Sequence, residues 1–183
     1  MRLRTIAAGL LALLLTWPAS AALAGGIKPS QWGISGYYQA GATLAPKNIK
    51  GAGVMVHAAW SLRQRPKMEL RLRLEASAGT FWDYETASEV ALVPALRVLV
   101  NLGAWQPYVE GGVGGSYSNF QRRDLGSDLN FLLFVGVGVR WRISPSLALE
   151  AGYRYRHLSN ANLGTSNPGL NTHQFLVGLV LPF

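Results

Sequence analysis

Apolar and polar side chains alternate one by one along several stretches of this chain. The clearest stretch is 68–78, where Met, Leu and Ala at the even positions oppose Glu, Arg and Ser at the odd positions. A period of two residues is that of a β-strand with two unlike faces, and it gives a helix no apolar side. This stretch therefore predicts a strand with one apolar and one charged face.

The same alternation recurs along the rest of the chain. Strong patterns cover 130–143, 147–156 and 175–183, although Leu132 and Phe134 interrupt the polar side, and weaker patterns lie near 33–43, 51–62, 88–99 and 106–117. Strands of roughly 10 to 14 residues exceed the usual length in soluble sheets and fit tilted membrane strands. The pattern predicts an all-β fold, an eight-stranded antiparallel transmembrane β-barrel, closed because lipid permits no unpaired sheet edge.

The charged face of the strands decides which side meets the lipid. It carries Glu69, Glu75, Glu89, Glu110, Glu150, Arg71, Arg73, Arg97, Arg140, Arg142, Arg154 and Arg156. A soluble lipocalin-like barrel would instead turn its apolar face inward. We therefore expect the charged face to line a narrow interior that paired charges fill, so that the barrel has a plugged core and no pore.

The connections are expected to sort into two ends. With the N-terminus in the periplasm, the segments 63–67, 101–105 and 144–146 become short inner turns, and 44–50, 82–87, 118–128 and 160–171 become outer loops.

Residues 1–24 carry a different pattern. A basic start at 1–4 is followed by an apolar run at 6–17 and by small residues up to Ala24. This apolar run is shorter than the roughly 20 residues that span a bilayer, so it predicts a secretory signal peptide at 1–24 and a barrel at 25–183. The closing Phe183 resembles the terminal signature of outer-membrane barrels, and we expect the bacterial outer membrane as the location.

Composition and charge exclude several classes of protein. Charged residues make up 14% of the chain, against about 25% in ordinary soluble domains. The absence of cysteine excludes disulfide scaffolds, thiolate metal sites and cysteine nucleophiles. The net charge is +8, but the arginines do not form a patch with interleaved aromatics, so we expect no nucleic-acid partner and favour anionic lipid.

The three histidines limit the catalytic options. His57 falls on the inward side of its strand and is interpreted as structural, whereas His157 shares the outward side of its strand with Ser159. On the last strand, Asn171 and His173 also face outward. Polar groups that face lipid are costly and suggest function, and a serine beside a histidine supplies a nucleophile and a base for acyl transfer. The alternative is a polar rim where the strand leaves the membrane.

Two short motifs carry a resemblance to a known family. The run Tyr155-Arg156-His157-Leu158-Ser159-Asn160-Ala161, followed by Asn167-Pro168-Gly169-Leu170, resembles the C-terminal signature of the lipid A 3-O-deacylase family. Fainter similarity at 106–114 and 127–131 extends the resemblance over roughly 105–183. It implies an eight-stranded outer-membrane barrel that hydrolyses the ester-linked acyl chain at the 3-position of lipid A with a lipid-facing Ser-His-Glu triad.

The resemblance assigns roles to individual residues. It implies that Ser159 is the nucleophile, that His157 is the base, and that Asn160 and Asn167 position the substrate near the oxyanion. The family's glutamate falls at Asn171. An amide can orient an imidazole, but it cannot neutralise the imidazolium formed during attack.

Other residues are candidates for supporting roles. Asp124 and Asp128, in the loop before the neighbouring strand, are the only carboxylates placed to substitute for the glutamate. His173, Arg122 and Arg123 are candidates for contact with the lipid A headgroup, because guanidinium groups pair well with phosphate. No metal-binding spacing is present, and no cofactor is expected.

The resulting hypothesis is a serine hydrolase, a lipid A 3-O-deacylase acting on lipopolysaccharide at the outer leaflet. The alternatives are a non-catalytic structural or ligand-binding outer-membrane barrel, or a related lipid esterase impaired by Asn171. A homodimer is conceivable for a lipid substrate and stays open.

Overall fold

The computed structural model describes residues 29–41, 49–83, 86–120, 127–162 and 169–182. They form eight strands: β1 (Gln31–Gly41), β2 (Lys50–Arg65), β3 (Met68–Trp82), β4 (Ala87–Val100), β5 (Trp105–Ser118), β6 (Leu129–Ser144), β7 (Leu147–Ser159) and β8 (Leu170–Pro182). Each strand pairs antiparallel with the next, and β8 pairs with β1, so that the sheet closes. The predicted eight-stranded antiparallel barrel is confirmed.

The predicted signal peptide at 1–24 and Phe183 lie outside the described residues, and cleavage after Ala24 stays a prediction. Within the described ranges, the structure contains no helix with the length and apolar character needed to cross a bilayer.

Apart from β1, the strands are longer than the alternating runs that predicted them. Strand β2 continues to Arg65, so the inner turn expected at 63–67 shrinks to 66–67. At the other end, β8 begins at Leu170, so the last two residues of the outer loop expected at 160–171 belong to the strand. Backbone pairing continues past the apolar runs because ladder hydrogen bonds join main-chain groups whatever the side chain.

The charged face of the strands lines the interior, as predicted. Arg73 and Glu75 are 1% and 2% exposed, whereas Val135 on the outer surface is 65% exposed. Arg142 is the exception to the expected inward set. It lies exposed near the end of β6 and donates through Nη2 to the carbonyl oxygen of Gly103 at 2.6 Å. Strand β6 extends beyond the filled interior, so an inward position there reaches solvent.

The interior contains two layers of side chains. In the charged layer, Glu110 accepts hydrogen bonds from Arg97 at 2.9 Å and Arg154 at 2.8 Å, and from Arg73 at 3.3 Å. Glu150 joins this layer by accepting from Arg97 and Arg140 at 2.6 and 2.7 Å. A buried charge is tolerated only when it is paired and hydrogen-bonded, and each arginine of this layer has at least one carboxylate partner, although Arg73 Nε makes no hydrogen bond.

The second layer is apolar and lies at the end where β3 and β7 finish and β6 begins. It contains Ile49, Phe81, Phe120, Leu132, Phe134 and Leu158, with small residues of β4. Leu132 and Phe134 interrupt the polar pattern of β6 because they pack into this apolar cluster, beside which the buried ion pair of Arg156 and Glu89 also lies. The two layers together form the plugged core that the sequence predicted.

Candidate active site

The candidate residues lie at the outer ends of β7 and β8. In the register of these strands His157 is directly opposite Asn171. The neighbours in sequence, Arg156, Leu158 and Thr172, are buried inside the barrel. Because successive side chains of a strand point to opposite faces, His157 and Asn171 project from the outer wall. Both are half-buried there.

A hydrogen bond joins these two side chains. His157 Nδ1 lies 2.7 Å from Asn171 Oδ1. An amide oxygen only accepts, so the contact requires the proton on Nδ1 and leaves the Nε2 lone pair available. An imidazole held in this tautomer can accept a proton from a nearby hydroxyl group.

Ser159 occupies the next outward position on β7. It is half-buried on the same wall as His157 and pairs with Phe131 of β6, which is 45% exposed on the lipid-facing surface. Two residues of a strand span about 7 Å between α-carbons, which side chains of this size can bridge. The strand thus presents a hydroxyl and an imidazole to the same region of lipid.

A strained turn follows Ser159. Ala161 and Asn162 both have positive φ, 53° and 62°, a region that residues other than glycine rarely adopt. Asn160 is 1% exposed, and its Oδ1 accepts from the backbone N–H of Asn162 at 2.9 Å. The Asn160 side chain therefore holds the turn and does not lie on the lipid-facing wall. The sequence could not show this, because the alternation ends at Ser159.

Gly169 packs against the candidate base. Its φ is +74°, and a β-carbon added there would lie 3.0 Å from His157 Cε1. A larger residue would be strained at this φ and would press on the imidazole. The sequence singled out Gly169 only as part of the family motif, and its contact with His157 depends on the pairing of β7 with β8.

His173 belongs to a separate cluster deeper in the membrane. Its Nδ1 lies 2.7 Å from the hydroxyl of Tyr153, and its ring stacks on Tyr153 and meets the edge of Tyr155. In the register it is opposite Tyr155, two residues below the pair of His157 and Asn171. The sequence placed His173 on the outer wall but did not reveal Tyr153 as its partner.

The remaining predicted residues fall into three groups. His57 is 4% exposed inside the barrel, in the inward position expected of it. Asp128 is exposed at the outer end, where its carbonyl oxygen accepts from the N–H of Ser118. Asn167, Arg122, Arg123 and Asp124 lie outside the described residues. Among the residues that the structure describes, no cluster of His, Asp or Glu could hold a metal ion.

The barrel is closed and eight-stranded, with an apolar exterior and a filled, charged interior. These features define an integral protein of the bacterial outer membrane. In this chain the lipid-facing wall carries Ser159, His157 and Asn171. Comparison with protein families narrows this class. The model of the lipid A 3-O-deacylase (PagL) family matches residues 50–180, and the chain belongs to this family.

Solved structures support the fold. The outer membrane enzyme PagL has a TM-score of 0.65 at 20% identity, with 82% of this chain and 99% of PagL covered. Neisserial surface protein A also has a TM-score of 0.65, at 17% identity, with 84% and 97% covered. The N-terminal β-barrel domain of Pseudomonas aeruginosa OprF has a TM-score of 0.50 at 14% identity, with 84% and 98% covered. A search among curated proteins gave no match.

Proposed function

We propose that this protein is a lipid A 3-O-deacylase, a serine hydrolase that removes the acyl chain ester-linked to the 3-position of lipid A in the outer leaflet. The contact of His157 Nδ1 with Asn171 Oδ1 at 2.7 Å, on the wall that also presents Ser159, carries the proposal. Membership of the lipid A 3-O-deacylase family supports the choice of substrate.

The first half of the reaction forms an acyl-enzyme. Ser159 Oγ attacks the ester carbonyl carbon while His157 Nε2 accepts the hydroxyl proton. The tetrahedral intermediate collapses by breaking the bond to the sugar oxygen, which leaves with the proton from Nε2. The deacylated lipid departs, and the acyl chain remains bonded to Oγ.

The second half releases the fatty acid. Water attacks the acyl-enzyme carbonyl, and His157 Nε2 accepts the water proton and then returns it to Ser159 Oγ. The product is a free fatty acid and the serine is regenerated, so one water is consumed per ester cleaved. Lipid and water meet at headgroup level, which is the depth expected at the outer end of β7.

The oxyanion requires hydrogen-bond donors that are already in place. We assign this role to a backbone N–H of the turn that follows Ser159, other than that of Asn162, which already donates to Asn160 Oδ1 and so holds the turn in its strained form. Asn167 is a further candidate donor from its position in the family motif. His173, Arg122 and Arg123 are candidates for contact with the headgroup.

Asn171 sets a limit on the rate. In serine proteases, replacing the orienting carboxylate by its amide lowers turnover about 10⁴-fold, and the main cause is the wrong imidazole tautomer. Here the amide oxygen faces Nδ1, which preserves the productive tautomer. The missing contribution is the negative charge that would stabilise the imidazolium, so we expect a slow but competent hydrolase.

The same residue favours a second candidate. A barrel with an amide in place of the carboxylate could serve as a non-catalytic structural or ligand-binding protein, and Neisserial surface protein A shares the fold to the same degree as PagL. Only an assay of ester cleavage separates the two candidates.

The test measures fatty acid release from purified lipid A by mass spectrometry. The wild-type barrel is compared with Ser159→Ala and His157→Ala, and Ser35→Ala serves as the matched control because Ser35 is buried on the inward side of β1. We expect release by the wild type and by the control, and none by the two site variants. Equal release by all four proteins, or release by none, would reject Ser159 as the nucleophile.

A further inference from the structure

The hairpin of β2 and β3 extends beyond the filled part of the barrel. Every residue of 61–68 is exposed. The hairpin turn at 66–67 lies at the same end as the short turns 103–104 and 145–146. Short turns of outer-membrane barrels face the periplasm, so this hairpin projects from the inner leaflet.

A β-bulge determines where the hairpin arginines point. Ser61 pairs with Arg71, and the next pair joins Arg63 to Leu70, so Leu62 is the extra residue. Uninterrupted pairing would place Arg63 opposite Glu69, on the interior face. The bulge instead places Arg63 opposite Leu70 and Arg65 opposite Met68. Directly opposed residues share a face, so both arginines lie on the lipid-facing side.

Tryptophans locate these arginines relative to the bilayer. Trp60 pairs with Leu72 on the outer wall just before the bulge. At the same end of the barrel, Trp105 and Trp141 stack with ring centroids 5.4 Å apart, and both rings are exposed. Tryptophan belts mark the boundary between hydrocarbon and headgroups. Arg63 and Arg65 lie beyond this belt, at the headgroup level of the inner leaflet.

No carboxylate of the described residues offsets these charges. Arg63, Arg65 and Lys67 make no ion pair within the ranges that the structure describes. The five glutamates Glu69, Glu75, Glu89, Glu110 and Glu150 are buried in the interior. Asp83 and Asp128 lie at the opposite end, and the two other acids of the sequence, Glu85 and Asp124, are outside the described residues.

We propose that Arg63 and Arg65, with Lys67 beside them, bind the phosphate of an anionic phospholipid in the inner leaflet. Guanidinium groups hold phosphate oxygens in paired hydrogen bonds. Met68 and Leu70 lie on the same face and provide apolar contact for acyl chains. A phospholipid offers both phosphate and hydrocarbon, whereas a soluble polyanion offers only charge, so the composition of this face favours the lipid.

The test compares lipids that remain bound to the intact barrel. The protein is reconstituted with equal amounts of phosphatidylglycerol and phosphatidylcholine and extracted in mild detergent. Native mass spectrometry then identifies the lipids that remain bound from the mass of each complex. Arg63→Gln/Arg65→Gln is compared with Lys50→Gln/Arg142→Gln, which removes the same charge from two other exposed cations. Heat-modifiable mobility on gels confirms that each variant is a folded barrel.

We expect the wild type and the control variant to retain phosphatidylglycerol about tenfold more than phosphatidylcholine. Both lipids carry a phosphate, but the choline cation of phosphatidylcholine cancels the phosphate charge and repels the two guanidinium groups, a difference that can supply a ratio of about tenfold. The Arg63→Gln/Arg65→Gln variant should lose this preference. The proposal would be overturned if Arg63→Gln/Arg65→Gln kept the preference for phosphatidylglycerol. It would also be overturned if Lys50→Gln/Arg142→Gln lost this preference to the same extent. Displacement of the lipid by millimolar inorganic phosphate would also overturn it, because it would identify a site for free phosphate.

Discussion

The imidazole of His157 and the amide of Asn171 face each other across β7 and β8, with Nδ1 and Oδ1 2.7 Å apart. The contact lies on the outer wall of a barrel whose interior is closed by charged and apolar layers. The proposed nucleophile and base on this wall would meet a lipid directly from the bilayer. The proposed chemistry therefore belongs to the surface of the barrel and not to its filled interior.

Asn171→Glu should increase hydrolysis of lipid A. A carboxylate at this position keeps the proton on Nδ1 and adds the charge that stabilises the imidazolium, so we expect kcat to rise at least tenfold. The measurement is the rate of fatty acid release. Asn171→Leu, which removes the acceptor, should lower kcat; a rise in both variants would show that the contact with His157 does not orient the base.

Gly169→Ala should lower kcat without unfolding the barrel. The new methyl group would lie 3.0 Å from His157 Cε1 and displace the ring, and misplaced catalytic groups cost roughly tenfold to a hundredfold in rate. Gly103→Ala is the matched control, because Gly103 has a similar φ of +70° and a β-carbon there meets nothing within 4 Å. Equal activity of the two variants would mean that Gly169 does not position His157.

His173→Ala should raise KM and leave kcat nearly unchanged. Within the described residues, His173 bonds to Tyr153 and makes no hydrogen bond to His157, so its effect should be on substrate binding. We expect KM to rise by about fivefold, which corresponds to the loss of one hydrogen bond between the protein and its substrate. Steady-state kinetics on lipid A dispersed in detergent provide both constants, and a fall in kcat alone would instead assign His173 to the chemical step.

Glu110→Gln should destabilise the barrel. Three arginines donate to Glu110, and removing its charge leaves them without compensation in the interior. Breaking a buried network of this kind costs about 3 kcal/mol or more. The midpoint of unfolding in urea, followed by the loss of heat-modifiable mobility, measures this cost.

The control is Asp83→Asn, which breaks the exposed pair of Lys50 and Asp83 at the outer rim. It should leave the midpoint of unfolding unchanged, because exposed pairs are screened by water and salt. An equal shift in both variants would contradict the importance of the interior network.

The alternation of side chains was sufficient to predict eight strands and the direction of most side chains. His57 inside the barrel, and His157 and Ser159 outside it, follow from counting along each strand, because the period of two is local. Counting failed for Arg142, which was expected to face inward but emerges beyond the filled core. The direction of Arg63 was not predicted, because 63–67 was assigned to a turn and the bulge at Leu62 depends on pairing with β3.

By itself, the order of residues determined which faces are apolar, that the sheet must close, and that a serine and a histidine share the lipid-facing side. Only the tertiary structure decided that Asn171 is opposite His157, that Gly169 packs on the imidazole, and that Tyr153 is the partner of His173. The reason is physical. Alternation depends on neighbours along one strand, whereas these contacts depend on the register between strands, which the packing of the whole barrel sets.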